Sequence, residues 1–389
     1  MISVRDAVVI GSGLVGLAAA VALARAGLEV TLIGSEERPP DGSGSWDQRI
    51  YAISPGSGEL LQSLGVWERL RQDRLQAVRT MDIRGDALGS RLEFQAIDSG
   101  VEALAWIVES SNLASALWQA LDDEPAVDLV IPGRPSRLSV DGEAVTVDVE
   151  GNAPVRARLA IGADGASSWV RRTAGLRVSS RAYPQTAIVA NFRISGDHGA
   201  TARQWFRPDG ILALLPLPGG VVSMVWSVNT DAASRLLALA PDELEASLEI
   251  ASGRALGSFS LVTPPATFPL RLLDCPTPVG ERLVLVGDAA HNVHPLAGQG
   301  MNLGLRDVRD LARVLTERGA ERDCGNRVLL RRHARARRED VLATMAVTDG
   351  LQHLFSSRVP AVEWLRNAGL SLTGRLPMIR RALARHALA

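Results

Sequence analysis

The sequence predicts a mixed α/β protein: a discontinuous βαβ domain of nucleotide-binding type, a mainly antiparallel β-sheet domain inserted into it, and a helical segment at the C-terminus. Three observations predict this arrangement. At the N-terminus an apolar run (residues 6–10), a glycine-rich turn, an Ala/Leu-rich helical stretch (14–26) and a second apolar run (28–33) follow one another. Long β-type segments fill residues 183–270. A strand, a glycine-rich loop and a helix then return over residues 282–318.

The elements follow in order. Residues 6–33 read as βαβ, with Gly27 placed to end the helix. Residues 36–47, rich in Pro, Gly, Ser and charge, read as an exposed loop, and residues 55–76 resume a helical pattern. Strand-like pieces at 78–95 precede a helix near 110–122. Alternating stretches at 127–131, 136–140 and 144–149 are punctuated by Asp141-Gly142 and Gly151-Asn152 turns and lead into the apolar run 159–162. The β-rich part includes 186–194, 211–217 and 221–228 and one helical piece at 241–252; residues 326–389 read as helices. The expected partition is 1–76, 100–180 and 271–330 for the first domain, 77–99 and 181–270 for the sheet domain, and 331–389 for the C-terminal segment.

Composition narrows the function. The 389 residues are 46 % hydrophobic and 22 % charged, as in ordinary globular proteins, and a net charge of -1 excludes a global attraction to nucleic acid. All 42 basic residues are Arg, a bias that carries no function here. Cys275 and Cys324 stand apart without CxxC spacing, which excludes a zinc knuckle or a thioredoxin-like pair and fits a reducing cytoplasm. Met1 runs directly into the first strand, leaving no room for a signal peptide. No apolar stretch reaches the ~20 residues of a membrane span.

Three glycine-bearing signatures carry the chemistry. Gly11-Ser12-Gly13-Leu14-Val15-Gly16 lies between a strand and a helix, where glycines permit a tight turn, close approach to a pyrophosphate and close helix–strand packing. The acidic residue expected ~20 residues on to hold an adenosine ribose is replaced by Gly34; Glu36 or Glu37, water and backbone are the alternatives. The second signature is Gly162-Ala163-Asp164-Gly165, continuing to Arg171. The third runs from Gly287-Asp288 through His291 and His294-Pro295-Leu296-Ala297-Gly298-Gln299-Gly300-Met301-Asn302. In order and spacing the three resemble the fingerprints of the flavoprotein aromatic hydroxylases, across nearly the whole chain. With Asp47-Gln48-Arg49 before Ala52-Ile53-Ser54, and Ile107-Val108-Glu109 before a helix, the chain resembles the ubiquinone-biosynthesis hydroxylases of the UbiH, UbiI and UbiF type.

The resemblance implies a Rossmann-like FAD-binding domain, an inserted β-sheet substrate domain, and FAD contacts at Gly11, Gly13, Gly16, Arg49, Asp164, Asp288, Pro295, Gly298, Gln299, Gly300, Met301 and Asn302. Asp288, beyond a buried strand at its carboxyl edge, is suited to accept hydrogen bonds from ribityl hydroxyls. The small residues opening the helix after Gly298 suit negative charge on the pyrimidine end of the reduced flavin. Pro295 and Arg49 are expected beside the flavin, with a surface charge as the other reading of Arg49. Arg171 either organises the Asp164 loop or forms an internal salt bridge. His291 and His294 have HxxH spacing, but no third ligand stands at a metal-site spacing, so no metal is expected.

The reaction implied is reduction of FAD by NAD(P)H or another donor, capture of O2 as a flavin C4a-hydroperoxide, and hydroxylation of a phenol ring. Both faces of 211–217 and 221–228 are apolar, which suits a sheet buried on two sides and equally a lining for a greasy substrate; Ile211, Ala213, Leu215 and Trp226 are the candidate lining residues. No Arg interrupts either segment, which favours a polyprenylated phenol over a carboxylate-bearing one. The alternatives are another apolar aromatic substrate, or a non-catalytic flavin-binding subunit of a quinone-biosynthesis complex. Residues 360–389 carry Arg366, Arg375, Arg380, Arg381 and Arg385 among leucines; they read either as a contact with the inner face of the membrane or with partner ubiquinone-biosynthesis proteins, or as helices packed on the first domain that present Arg to solvent.

Overall fold

The alanine-rich stretch after the first glycine turn forms helix α1 (Leu14–Arg25), buried from Gly16 to Ala24 because it is covered on one side by a sheet and on the other by helices α3 (Ser110–Asp122) and α7 (Gln299–Thr316). A helix apolar all round has no solvent face, so its position is set by core packing. Gly27, at φ +79°, ends it as expected. The computed structural model describes residues 3–39, 44–86, 90–294, 298–319 and 322–356.

Among the described residues three sheets form. The first has eight strands, in the order β18 (Val279–Gly280), β19 (Leu283–Leu285), β11 (Val155–Gly162), β1 (Val4–Ile10), β2 (Val30–Ile33), β8 (Val127–Val130), with β9 (Pro135–Val140) and β10 (Val145–Val149) continuing from β11. From β19 to β8 all neighbours are parallel. The carboxyl ends of β19, β11, β1 and β2 therefore open side by side, where ligands of open α/β sheets lie. A small sheet of β3 (Ile50–Ile53), β7 (Ala105–Glu109) and β4 (Gln76–Val78) stands beside it.

The third sheet has nine strands among the described residues, in the order β20 (His291–Asn292), β17 (Ala266–Asp274), β12 (Ser179–Ile194), β15 (Val221–Asn229), β14 (Gly210–Leu217), β13 (Thr201–Arg207), β5 (Thr80–Arg84), β6 (Arg91–Gln95), with β16 (Phe259–Leu261) beside β12. Only β13 and β5 run parallel. The register of β12 on β17 shifts between Ala182 and Thr186, a bulge that accommodates Pro184. Helices α5 (Thr230–Leu237) and α6 (Pro241–Ala251) cover one face over a core of Phe192, Leu212, Leu214, Met224 and Trp226.

Several elements differ from expectation. The helical pattern over 55–76 yields only α2 (Pro55–Ser63); Gly65 takes φ +57° and two single 3-10 turns follow before β4. Helix α5 escaped the pattern reading, although Asn229 caps it by accepting a hydrogen bond from Ala232 N at 2.8 Å. The short helix α4 is Trp169–Thr173. Helix α8 runs Arg327–Ser356; residues 357–389, with the basic segment, lie outside the described residues.

Helix α8 is fastened to both large sheets. Arg337, 6 % exposed at its side chain, donates from Nε to Asp307 Oδ1 on α7 at 2.7 Å, and Arg338 pairs with Asp274 on β17. Phe355 stacks on Phe206 with ring centroids 3.8 Å apart. Removing one partner of a buried pair strands a charge. Arg337→Met is therefore expected to destabilise the protein by about 3–5 kcal/mol, and Arg338→Met, at a half-exposed pair, by about 1 kcal/mol or less. Urea unfolding midpoints of the two variants test this, and equal losses would contradict it.

Candidate cofactor site

At the end of β1, Gly11 takes φ +116°, and a Cβ there would lie 2.4 Å from the Ala163 carbonyl oxygen; one on Gly16 would lie 1.9 Å from the Gly11 oxygen. Both glycines are demanded by contact, with each other and with the Asp164 loop. Gly13 caps α1 without a side-chain hydrogen bond, and no acid stands in the first turn. The first N–H groups of α1, which have no intrahelical acceptor, are thus turned to the crevice with the positive end of the helix dipole.

Two residues beyond Gly34, Glu36 is brought back toward the glycine turn. Ser12 Oγ donates to the Glu36 carbonyl and accepts from Glu36 N, both at 2.9 Å, folding the strand end back over the glycine turn. Gly34 is required for this approach, since a Cβ there would stand 2.2 Å from Ser12 Oγ. The Glu36 carboxylate reaches within 3.6 Å of where a Gly13 Cβ would be. Spacing alone pointed to Gly34; the pairing of a small residue there with Ser12 was the available signal.

Beyond β11, Asp164 Oδ2 accepts from Val170 N at 3.0 Å, while its Oδ1 is buried without a partner. Among the described residues Arg171 forms no salt bridge. Its guanidinium donates to the carbonyls of Ala289 (2.7 Å) and Ala166 (2.8 Å), bracing the second and third glycine loops together, and burial lowers its pKa.

Beyond β19, Gly287 (φ +58°) turns the chain and leaves Asp288 exposed. This turn is held by Asp307, whose Oδ2 accepts from Gly287 N at 2.9 Å and bonds His291 Nε2 at 2.6 Å. Burial alone would raise the Asp307 pKa, but His291 and Arg337 hold it well below the carboxylate range. Asp288 is reached by solvent yet sits low in the crevice, where desolvation raises its pKa against the pull of His291, Asn292 and Arg271. Tyr51 on β3, its pKa raised by burial, feels both Arg49 and Asp288, so these three side chains share one field.

Helix α7 begins at Gly298, in left-handed conformation at φ 64°, with no side-chain cap and no acid in its first turn. A Cβ on Gly298 would meet Ala52 Cβ at 3.0 Å, whereas one on Gly300 would meet nothing within 4 Å. The start of α7 therefore packs on β3 at one glycine and is open at the other. Asn302, expected at the cofactor, is 1 % exposed and its amide is engaged within the chain. It accepts from Ser54 N (2.9 Å) and donates to Ala52 O (2.8 Å) and Gly298 O (3.2 Å). Its side chain joins β3 to α7 and does not face the crevice. Met301, 9 % exposed, packs in the core. Pro295 lies outside the described residues.

The four candidate lining residues do not share a face. Trp226 pairs with Leu212 and lies in the core under α5 and α6, whereas Ile211, Ala213 and Leu215 alternate onto the opposite face. Of these, Ile211 is covered by Phe206 and Phe355. Ala213 and Leu215 remain partly open, together with Val225 and Gln204, and Leu215 packs beside Ala52 and Ile50. A half-open apolar wall thus lies on the sheet face that meets the small three-stranded sheet.

The HxxH histidines diverge: His291 bonds Asp307, and His294, 1 % exposed, contacts Gln185 at 3.3 Å and the Tyr183 ring edge. No cluster of three metal-ligating side chains occurs among the described residues. Cys275 and Cys324 are free and buried, with thiol pKa values raised by desolvation, that of Cys324 to about 12. No helix among the described residues is long and apolar enough to cross a membrane.

Uncapped helix starts beside an acid at the neighbouring strand end are what the pyrophosphate and ribose of a dinucleotide require, so the crevice is that of a dinucleotide-dependent oxidoreductase. Residues 5–346 match the family model for the FAD binding domain. The chain belongs to that family, and its cofactor is FAD. It is 36 % identical over 387 residues to ubiquinone hydroxylase UbiL of Rhodospirillum rubrum, covering 99 % of this chain and 90 % of the relative. It is 35 % identical to 3-demethoxyubiquinol 3-hydroxylase of Escherichia coli over 98 % of this chain and 97 % of the relative. Among solved structures, p-nitrophenol 4-monooxygenase PnpA of Pseudomonas putida shares the fold at TM-score 0.80 and 19 % identity, covering 100 % of this chain and 99 % of that one.

Burial lowers the pKa of His294 and of His333 on α8 from 6.5 to about 4. In this range the unfolded chain binds protons that the folded protein refuses, so both groups contribute stability that is fully present above pH 6.5 and is lost as pH falls toward 4. Urea midpoints are expected to drop across that window, and His333→Leu is expected to flatten the slope; a variant slope equal to wild type would refute the assignment.

Proposed function

We propose that this chain is an FAD-dependent monooxygenase that hydroxylates the aromatic ring of a polyprenylated phenol in ubiquinone biosynthesis, using O2 and NAD(P)H. The observation that supports the substrate class is the half-open wall of Ala213, Leu215 and Val225, three apolar side chains on the sheet face that meets the small three-stranded sheet. A carboxylate-bearing phenol would find no anchor there, whereas an apolar tail gains about 0.8 kcal/mol for each buried CH2. The names of the two enzymatic relatives agree with this reading.

The residues of the crevice fit FAD. The N–H groups opening α1, bared by Gly11, Gly13 and Gly16, receive the pyrophosphate, and the Glu36 carboxylate is in position for the adenosine ribose. Asp164 and Asp288 accept hydrogen bonds from cofactor hydroxyls, the buried Oδ1 of Asp164 having none within the chain. The start of α7, at Gly298, Gln299 and Gly300, would stabilise negative charge on the flavin through its dipole, and Arg49 would add a cation near the ring. Bound FAD supplies activation of dioxygen and transfer of one oxygen atom to the substrate. The chain's part is to orient the ring, to exclude water with the apolar wall, and to hold charge at the helix ends. A lipophilic substrate makes the cytoplasmic face of the membrane the place of work, with residues 360–389 as the segment that would meet it.

Asp288→Ala and Glu36→Ala each remove hydrogen bonds to a charged acceptor, about 1.5–3 kcal/mol each, and are expected to weaken FAD about 10- to 100-fold without unfolding the chain. Fluorescence titration of the apoprotein measures this, and wild-type affinity in either variant removes that residue from the site. For the substrate, prenylphenols are expected to turn over faster than simple hydroxybenzoates in an oxygen-consumption assay; the reverse order defeats the proposal.

A further inference from the structure

The segment that carries Arg49 is tied down by more polar contacts than an exposed loop needs, and they come from two sheets. Glu109, 2 % exposed at the end of β7, accepts from Asp47 N through Oε1 at 2.7 Å and binds Arg74 through both oxygens at 2.7 Å. Arg74 in turn covers the Trp46 ring at 3.6 Å. Asp47 divides its carboxylate between Arg49 N and Ser111 N, each at 2.9 Å, so one side chain sets the direction of Arg49 and caps the start of α3. From the other side the nine-stranded sheet holds the same loop. Asn191 on β12 donates from Nδ2 to the Asp47 carbonyl at 2.7 Å, and Gln48 donates to the Pro264 carbonyl at 2.7 Å.

Asn191 is an unusual residue for its place. It is wholly buried on the sheet face that bears Ala213, Leu215 and Val225, its backbone is clamped by Thr263, and its amide oxygen has no hydrogen-bond partner. A buried polar group left half satisfied calls for a reason. Its only side-chain hydrogen bond among the described residues is the one to Asp47, and a flipped amide would set oxygen against oxygen there. The amide is thus kept for the donor it gives to the Arg49 loop.

We propose that Asn191, acting through Asp47, is a positioning residue that sets where the Arg49 guanidinium stands relative to the flavin, so that the substrate-side sheet and the cofactor's electrostatics are mechanically joined. The inference rests on the reading of Arg49 as the flavin-facing cation. A cation beside the ring favours the reduced, negatively charged cofactor, so whatever moves Arg49 away lowers the cofactor's midpoint potential. Asn191→Leu keeps the volume, removes the orphan oxygen and cuts the link, and the fold is expected to survive it.

The test is a dye-equilibration measurement of the midpoint potential of bound FAD in the holoenzyme, without substrate or nicotinamide, for wild type, Arg49→Ala, Asn191→Leu and the double variant. Arg49→Ala is expected to lower the potential. Asn191→Leu is expected to lower it at least half as far with unchanged FAD content and melting temperature, and the double variant is expected to match Arg49→Ala alone, because both changes act through one guanidinium. If Arg49→Ala leaves the potential at the wild-type value, Arg49 is not at the flavin and the linkage falls with it. If Arg49→Ala shifts the potential while Asn191→Leu does not, or while the two shifts add, Arg49 stays at the flavin and the linkage alone is overturned.

Discussion

Asp307 is enclosed between α7 and α8, and its carboxylate is shared by three donors from three segments: Gly287 N, His291 Nε2 and Arg337 Nε. A carboxylate 2 % exposed is tolerable only because each oxygen is met by charge or a hydrogen bond. This one contact holds the left-handed turn at Gly287 closed, just before Asp288, and fastens α8 to the cofactor domain. The close packing around it follows. Gly304 admits Val15 of α1 so near that a Cβ would stand 2.8 Å from its methyl, and Arg171 reaches across to the Ala289 carbonyl. The third glycine loop is therefore built from outside, by α7 and α8, rather than by its own turn chemistry.

The crevice is built from groups of two kinds. The first N–H groups of α1 have no side-chain cap, Glu36 and Asp288 are exposed, and the buried Asp164 Oδ1 has no partner among the described residues. Ser12, Asn302 and Asp307 have their polar side-chain atoms engaged within the chain, and Arg171 donates from both terminal nitrogens. That division matters for the chemistry. Charge developing on a bound ring is stabilised by dipoles already in place, which need not reorganise when the reaction occurs.

The nine-stranded sheet does two jobs on two faces. One face is closed by α5 and α6 over Trp226, Phe192 and Met224, and its apolar residues are ordinary core. The other meets the three-stranded sheet and the Arg49 loop, and Ala213, Leu215 and Val225 on it stay partly open. Strand alternation puts Leu212 and Leu215 on opposite faces, so apolar residues that look equivalent in the chain have different fates.

The local elements were legible in the sequence because each is written within a short window. The glycine turn before α1, the strand runs 6–10 and 159–162, and the helix at 110–122 all follow from spacing, propensity and stop signals. What tertiary structure decided were distances between segments far apart in the chain. Ser12 folds Glu36 back over the glycine turn, a contact that spacing along the chain does not show. The amide of Asn302 turned away from the crevice because Ala52 and Ser54, some 250 residues earlier, needed its hydrogen bonds. Trp226 read as a lining residue because periodicity cannot say which face of a doubly apolar strand a helix will cover. The bonds of Asn191 to Asp47 and of Arg337 to Asp307 leave no pattern in a linear sequence, since a buried polar side chain is selected by the single partner it meets, and that partner is brought to it only by the packing of sheets and helices.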